Sequence, residues 1–174
     1  ALICEHPCEA RCRRSMIDAP INIRGLKRMS VDNAPANTVP VPEKAETTGK
    51  RIAIIGGGPS GLAAAYYLEL MGHHAVVFEA KSKLGGMLRY GIPSYRFPRE
   101  RLDQDIDAIL STGVEGHLNT KVGNGEGDVP FEKPREEFDA VYIAIGAHED
   151  KKVGIEGEDS KGVISAVEML RSIG

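Results

Sequence analysis

Two groups of residues in this chain have the types and spacing to do chemistry. The first is Gly56-Gly57-Gly58-Pro59-Ser60-Gly61, which contains the pattern G-x-G-x-x-G. Gly56 permits a tight strand-to-helix turn, Gly58 lets a pyrophosphate lie against backbone, and Gly61 lets a helix pack closely on a strand. The N–H groups and positive dipole end of that helix then face the phosphates. Glu79 lies about 20 residues beyond the glycines, where an acid grips a ribose hydroxyl. The second group is Cys4, Cys8 and Cys12, all three of the chain's cysteines, spaced C-x3-C-x3-C. Thiolate sulfur ligates iron–sulfur centres and zinc. On a helix the three would share one face and converge on one cluster. In irregular backbone they would serve two, and unligated thiols are the plain alternative. Zinc is disfavoured because the usual C-x2-C pairing and a fourth ligand are missing. His6 could be a ligand in principle but reads as a loop residue or one that supports a ligand.

These residues need elements to hold them. Ile52 to Ile55 is a short apolar run that predicts a buried parallel strand. Leu62 to Met71 predicts a helix, with Ala63, Ala64 and Ala65 keeping it close to the sheet. Gly72-His73-His74 breaks it, and Ala75 to Glu79 predicts a second strand. Strand, glycines, helix, second strand and terminal acid fall in register, which predicts a dinucleotide site. The pattern leaves FAD and NAD(P) both open.

Upstream, Asp18-Ala19-Pro20 reads as a helix start, with an apolar stripe at Ile21, Ile23, Leu26 and Met29. Arg13, Arg14, Arg24, Lys27 and Arg28 read as a solvated basic face, the alternative being charge compensation for an anionic cluster or an acidic partner. Asp32 to Gly49 is rich in Pro, Ala and Thr and reads as an extended linker. Segment 1–32 is therefore separated by a linker, 33–49, from a glycine-loop domain, 50–174. After Glu79 a long irregular stretch runs to Phe97, a position where long loops carry function. Pro98 to Ser111 predicts an amphipathic helix with Asp103, Asp105 and Asp107 on its wet side. Val114 to Val122 is a weaker strand, and 123–134 a polar loop. Phe138 to Ala147 predicts a strong buried strand ending at Gly146, a second place for backbone to approach a cofactor. Ser165 caps a final helix.

Bulk properties exclude several classes. A net charge of −3 offers no basic field for nucleic acid. No apolar run approaches the roughly 18 residues a membrane helix needs. The first 20 residues do not read as a signal peptide, since Cys4, His6 and Arg11 interrupt them, so cytoplasm is the default.

The segments CEHPCEARCRR, DAPINIRGLKR, KRIAIIGGGPSGLAAAYYL, LGGMLRYGIP and FDAVYIAIGA occur in an order that resembles the glutamate synthase small-subunit family. That family includes NAD(P)H-dependent flavin/iron–sulfur electron-transfer subunits and the N-terminal part of dihydropyrimidine dehydrogenase. The resemblance implies an α/β fold: an FAD-binding Rossmann-like parallel sheet preceded by part of a helical iron–sulfur domain. It implies FAD at the first glycine loop, with Gly56, Gly58, Pro59, Ser60 and Gly61 at the pyrophosphate and Glu79 at the ribose. Ala80, Lys81 and Ala144 join the cofactor-binding set. Gly86, Met87, Leu88, Arg89 and Ile92 match the segment around the flavin, and Arg96 an arginine near it. Val122 matches a backbone position at the adenine, and Gly146 and Ala147 the second glycine approach.

Cys4, Cys8 and Cys12 match the second half of a two-[4Fe-4S] ligand set whose other cysteines lie upstream. Cys12 would join the upstream triad; Cys4 and Cys8 would join the other cluster. At Lys27 the chain departs from the Gln or Glu often found there, and an ammonium has no lone pair for iron. The family's second glycine loop, for NAD(P)H, follows the final helix and is absent here, so the chain reads as a fragment. The implied function is an oxidoreductase subunit passing electrons from NAD(P)H through FAD to iron–sulfur clusters and a partner subunit or ferredoxin-type acceptor. No acid/base dyad or nucleophile is evident, and no catalytic residue is assigned. The alternatives are an FAD-binding module without NAD(P)H turnover of its own, and a simple NAD-binding domain with idle cysteines.

Overall fold

The computed structural model describes residues 2–34 and 40–173. They fall into two compact units, Ala1–Pro40 and Val41–Gly174. In the first unit, helix α1 (Pro7–Ala10) precedes a 3-10 turn (Arg13–Met16) and helix α2 (Ile23–Asn33). The Glu9 carboxylate accepts from the Arg24 amide at 2.7 Å. The predicted start of α2 at Asp18–Pro20 is displaced. The helix begins after Asn22, whose side chain accepts from the Gly25 amide at 2.8 Å and caps the first turn. Leu26, Met29 and Val31 of its apolar stripe are exposed.

The second unit is α/β, as expected. In chain order it contains β1 (Arg51–Ile55), α3 (Pro59–Leu70), β2 (His74–Phe78), α4 (Met87–Tyr90), α5 (Arg99–Leu110), β3 (Glu115–His117), α6 (Glu132–Glu137), β4 (Ala140–Ile143) and α7 (Ala166–Ser172). All four strands are parallel, in the order β3-β2-β1-β4. Helix α3 packs on β1, β2 and α5. The core lies there: Ala53, Ile54, Ala75, Val76 and Val77 are almost wholly shielded. Each branched side chain so buried contributes about 1.5–3 kcal/mol relative to exposure.

Three expectations change. The strand at 138–147 forms, as β4, but it is not buried: Tyr142, Ile143 and Ile145 are exposed. A strand reads as fully buried when both faces are covered. Among the described residues β4 has a neighbouring strand on one side only. The loop at 123–134 gives way to α6, which starts at Glu132 and tolerates Pro134 in its first turn. The stretch at 33–49 divides. Residues 35–39 lie outside the described residues, while residues 44–48, irregular as composition predicts, are pinned to the second unit. Lys44 donates to the Glu69 carboxylate at 2.5 Å and to the Thr112 carbonyl at 2.6 Å. The Ala45 and Thr48 amides each donate at 2.9 Å, to the Leu70 and Gly72 carbonyls.

At the β2–β3 edge, Glu115 lies 3.1 Å from His74 Nε2 and 2.8 Å from His117 Nε2. The hydrogen bond from His74, ahead of the contribution of His117, holds its carboxyl below the usual glutamate range; partial burial opposes them. A depressed folded pKa stabilises above the unfolded value and loses that stabilisation as pH falls through the folded one. Glu115→Gln should therefore flatten the acid limb of stability below about pH 4. Urea midpoints of both proteins between neutral pH and pH 3 measure this. The change should be modest, because the group is half-exposed and screened.

Candidate dinucleotide site

The carboxyl ends of β1, β2 and β4 bring the glycine turn, the acid and the Ala144–Gly146 segment together. Gly56 has φ +110°, which a side chain would strain, and its amide donates to the Phe78 carbonyl at 2.8 Å. A Cβ there would also overlap the Ala144 carbonyl. Helix α3 starts at Pro59, three residues before the predicted Leu62, because proline suits the first helical position. Gly61 sits where a Cβ would overlap the Gly56 carbonyl oxygen and come within 3.1 Å of Ile54 Cγ2.

Gly85 and Gly86 lie against this turn. The Gly85 amide donates to the Gly57 carbonyl at 2.8 Å. A Cβ on Gly86, which has φ +52°, would stand 2.7 Å from Gly58 Cα. A Cβ on Gly58 would meet nothing nearer than Gly86 Cα at 3.7 Å. Backbone is thus presented beside open space, next to the unpaired amides of a helix start. This cradle fits a diphosphate.

Glu79 directly follows β2 and is 8% exposed. Its Oε2 accepts from the Gly57 amide at 2.7 Å and its Oε1 from the Lys81 amide at 2.8 Å. The acid predicted for a ribose therefore also fixes the glycine turn. A carboxylate has about four acceptor positions, so two remain for sugar hydroxyls.

The other predicted residues are placed variously. Met87, Leu88 and Arg89 form α4; the first two are half-buried. Arg89 is buried, donating to the Leu84 carbonyl at 2.7 Å and pairing with Asp103. Its guanidinium holds the loop, and Asp103, read as plain wet surface, is its counter-ion. Ile92 is half-buried; Ala80, Lys81 and Arg96 are exposed. Val122 forms an isolated bridge with Val129, outside β3. The Ala144 amide continues the ladder, donating to the Ile55 carbonyl at 2.8 Å, and Gly146 and Ala147 follow it, exposed. Ser60 Oγ lies 2.9 Å from the Tyr142 hydroxyl. Sequence reasoning missed Tyr142, hidden in an apolar strand, and Gly57, an unassigned position of the glycine pattern.

The cysteines do not share a helix face. Cys4 precedes α1, Cys8 lies on it, and Cys12 caps the 3-10 turn that follows. Cys4 and Cys8 are exposed and Cys12 half-buried. Backbone donation at Ile21, then at Arg14, draws the Cys12 thiol below its ordinary range against the cost of burial. The His6 ring lies 3.7 Å from the Glu9 carboxylate. Among the described residues, no three of His, Cys, Asp and Glu are grouped to hold a metal ion. The cysteine set by itself therefore does not fit a complete cluster. No helix of the described residues is long and apolar enough to cross a membrane.

A parallel sheet whose first turn carries G-x-G-x-x-G and whose second strand ends in an acid defines a Rossmann-like dinucleotide fold. Residues 54–120 match the family of NAD(P)-binding Rossmann-like domains. Over nearly its whole length the chain is homologous to glutamate synthase small chains, as LGGMLRYGIP and the cysteine segment implied, and also to NADPH-Fe(3+) oxidoreductase beta subunits. It is 43% identical to the NADPH-Fe(3+) oxidoreductase subunit beta of Geobacter sulfurreducens, across 97% of this chain and 26% of that one. It is 35% identical to the glutamate synthase [NADPH] small chain of Bacillus subtilis, across 97% of this chain and 34% of that one. The chain thus spans about a quarter to a third of these relatives' length. Among solved structures, Mycobacterium tuberculosis FprA in complex with NADPH is similar at a TM-score of 0.61 and 26% identity, covering 70% of this chain and 28% of that one.

Proposed function

We propose that this chain is the FAD-binding part of an NAD(P)H-dependent oxidoreductase subunit that feeds electrons to iron–sulfur clusters and a partner subunit. The observation that carries the reading is the cradle at Gly56, Gly58 and Gly86, closed by Glu79, in a chain 35–43% identical to NADPH-dependent oxidoreductase subunits. A bound flavin supplies hydride acceptance from NAD(P)H and release of single electrons. The chain's own residues bind and orient. Gly56, Gly58, Pro59, Ser60 and Gly61 present backbone and the α3 start to the diphosphate. Glu79 holds the ribose, with Ala80 and Lys81 beside it. Gly86, Met87, Leu88 and Ile92 line the flavin side, with Arg89 fixing that loop and Arg96 near it. Val122, Ala144, Gly146 and Ala147 supply further backbone.

In this reading residues 1–32 belong to an iron–sulfur segment. Cys4, Cys8 and Cys12 provide part of the ligands for two [4Fe-4S] clusters, and the NAD(P)H site lies on a part of the protein outside these residues. The electron acceptor is a larger oxidoreductase subunit or a ferredoxin-type protein, and the work is cytoplasmic, where thiols stay reduced.

A second reading places a nicotinamide dinucleotide in the same cradle, and the NAD(P)-binding family match together with the FprA–NADPH complex favours it. The two separate on purification under anaerobic conditions followed by reconstitution with FAD. Uptake of FAD with its visible absorbance bands, and no binding of NADPH by the isolated chain, is the expected result. A chain that binds NADPH and refuses FAD sinks the flavin reading. Iron and acid-labile sulfide should be found when the complete subunit is isolated; zinc without sulfide would defeat the cysteine assignment.

A further inference from the structure

We propose that Tyr142 is a positioning residue for the phosphate-binding turn: its phenol donates to Ser60 Oγ, which aims the Ser60 proton at a phosphate of the bound dinucleotide. The inference rests on the FAD reading above and deepens it by naming a residue of β4 that acts on the diphosphate through Ser60.

Three observations carry it. Tyr142 pairs with Ile54 in the β1–β4 register, so its side chain leaves the sheet on the face where α3 packs. Ile54 is the residue whose Cγ2 faces Gly61 on that helix. Ser60 is the second residue of α3, in the turn whose amides point outward toward an anion. The two hydroxyl oxygens are 2.9 Å apart although the residues are 82 positions distant in sequence. The link therefore comes from the fold and not from local turn chemistry.

The direction of donation follows from the chemistry of the two groups. A phenol is a more acidic hydroxyl than an alcohol and so the better donor, and a serine hydroxyl has one proton and two acceptor positions. When Ser60 accepts from Tyr142, its single proton is left for another acceptor. The one the site calls for is a phosphate oxygen at the helix start. A hydroxyl that both accepts and donates is polarised in the donating direction. Tyr142 is 42% exposed, so its ring does little to fill the core. Losing the hydroxyl while keeping the ring isolates its effect on Ser60.

The test is a double-mutant cycle on the full chain with Tyr142→Phe and Ser60→Ala. FAD affinity is read by fluorescence quenching, and the bound diphosphate by its phosphorus NMR signal. Tyr142→Phe is expected to weaken FAD binding about threefold to tenfold, as does Ser60→Ala, the size of one neutral hydrogen bond. The double variant should bind no more weakly than Ser60→Ala alone, since both act on one contact. The phosphorus signal of bound FAD should move in Tyr142→Phe while the melting temperature of the ligand-free chain stays put. Tyr142→Phe with wild-type affinity and an unmoved phosphorus signal overturns the inference. So does a double variant whose losses multiply. A wild-type chain that takes up no FAD overturns the FAD reading itself, and this inference with it.

Discussion

Gly61→Ala is expected to lower the stability of the Val41–Gly174 unit by about 3 kcal/mol and to abolish dinucleotide uptake, the upper end for a forced insertion into packed structure. The cause is space, not helix propensity, since alanine is the better helix former. A Cβ at Gly61 would overlap the Gly56 carbonyl oxygen, and Ile54 Cγ2 stands 3.1 Å away on the other side. Relief requires α3 to lift off β1. That movement displaces the Gly58–Ser60 turn from the ends of the strands and opens its contact with Gly86. Urea unfolding measures the loss; a midpoint drop of at least about 1 M is expected from usual slopes. Gly116→Ala is the control, because nothing lies within 4 Å of the Cβ it would add. If Gly61→Ala melts like wild type and still binds, the close packing of α3 on β1 is wrong.

Glu69→Leu should cost about 3–5 kcal/mol. Glu69 lies near the end of α3 and is 2% exposed. One carboxylate oxygen accepts from the Ala75 amide at 2.8 Å, and the other from Lys44 at 2.5 Å. His74 Nδ1 stands 3.4 Å from the first oxygen. Leucine leaves the amide of Ala75, a fully buried residue, without that acceptor, a cost of roughly 1–3 kcal/mol. It also removes the charged bond to Lys44, worth about 1.5–3 kcal/mol in such settings. Glu69→Gln keeps an acceptor for Ala75 and should lose clearly less. Residues 44–48 should become sensitive to protease in the leucine variant, because Lys44 anchors that stretch. Equal stability of the leucine and glutamine variants would mean that the amide contact is not what holds this corner.

What could be read from sequence was what local physics decides. The run Arg51–Phe78 was legible because strand, turn and helix each announce themselves by period and by glycine or proline, over short separations. Helix α5 was legible for the same reason, with its extent predicted to within one residue at each end. Glu69 was not, since one acid inside YYLEL gives no sign that it will be enclosed. Asp103 looked like part of a wet acidic run, and only the return of the α4 loop across α5 turns it into the partner of Arg89. In the site, the glycine turn and Glu79 were read from spacing, and Gly86 from the family resemblance. The hold of Glu79 on its own turn was not legible, because it depends on a 22-residue separation closing in space. Tyr142 carried no signal, since tyrosine suits a β-strand whether or not its hydroxyl is used.

The open side of β4 has a practical outcome. Among the described residues this strand has a neighbour on one side only, and with Tyr142, Ile143 and Ile145 exposed it is a ready template for another chain to stack against. Solutions of these residues alone should thicken into oligomers as concentration rises. Dilute, cool handling, or a lysine introduced along that rim, is what would keep them dispersed.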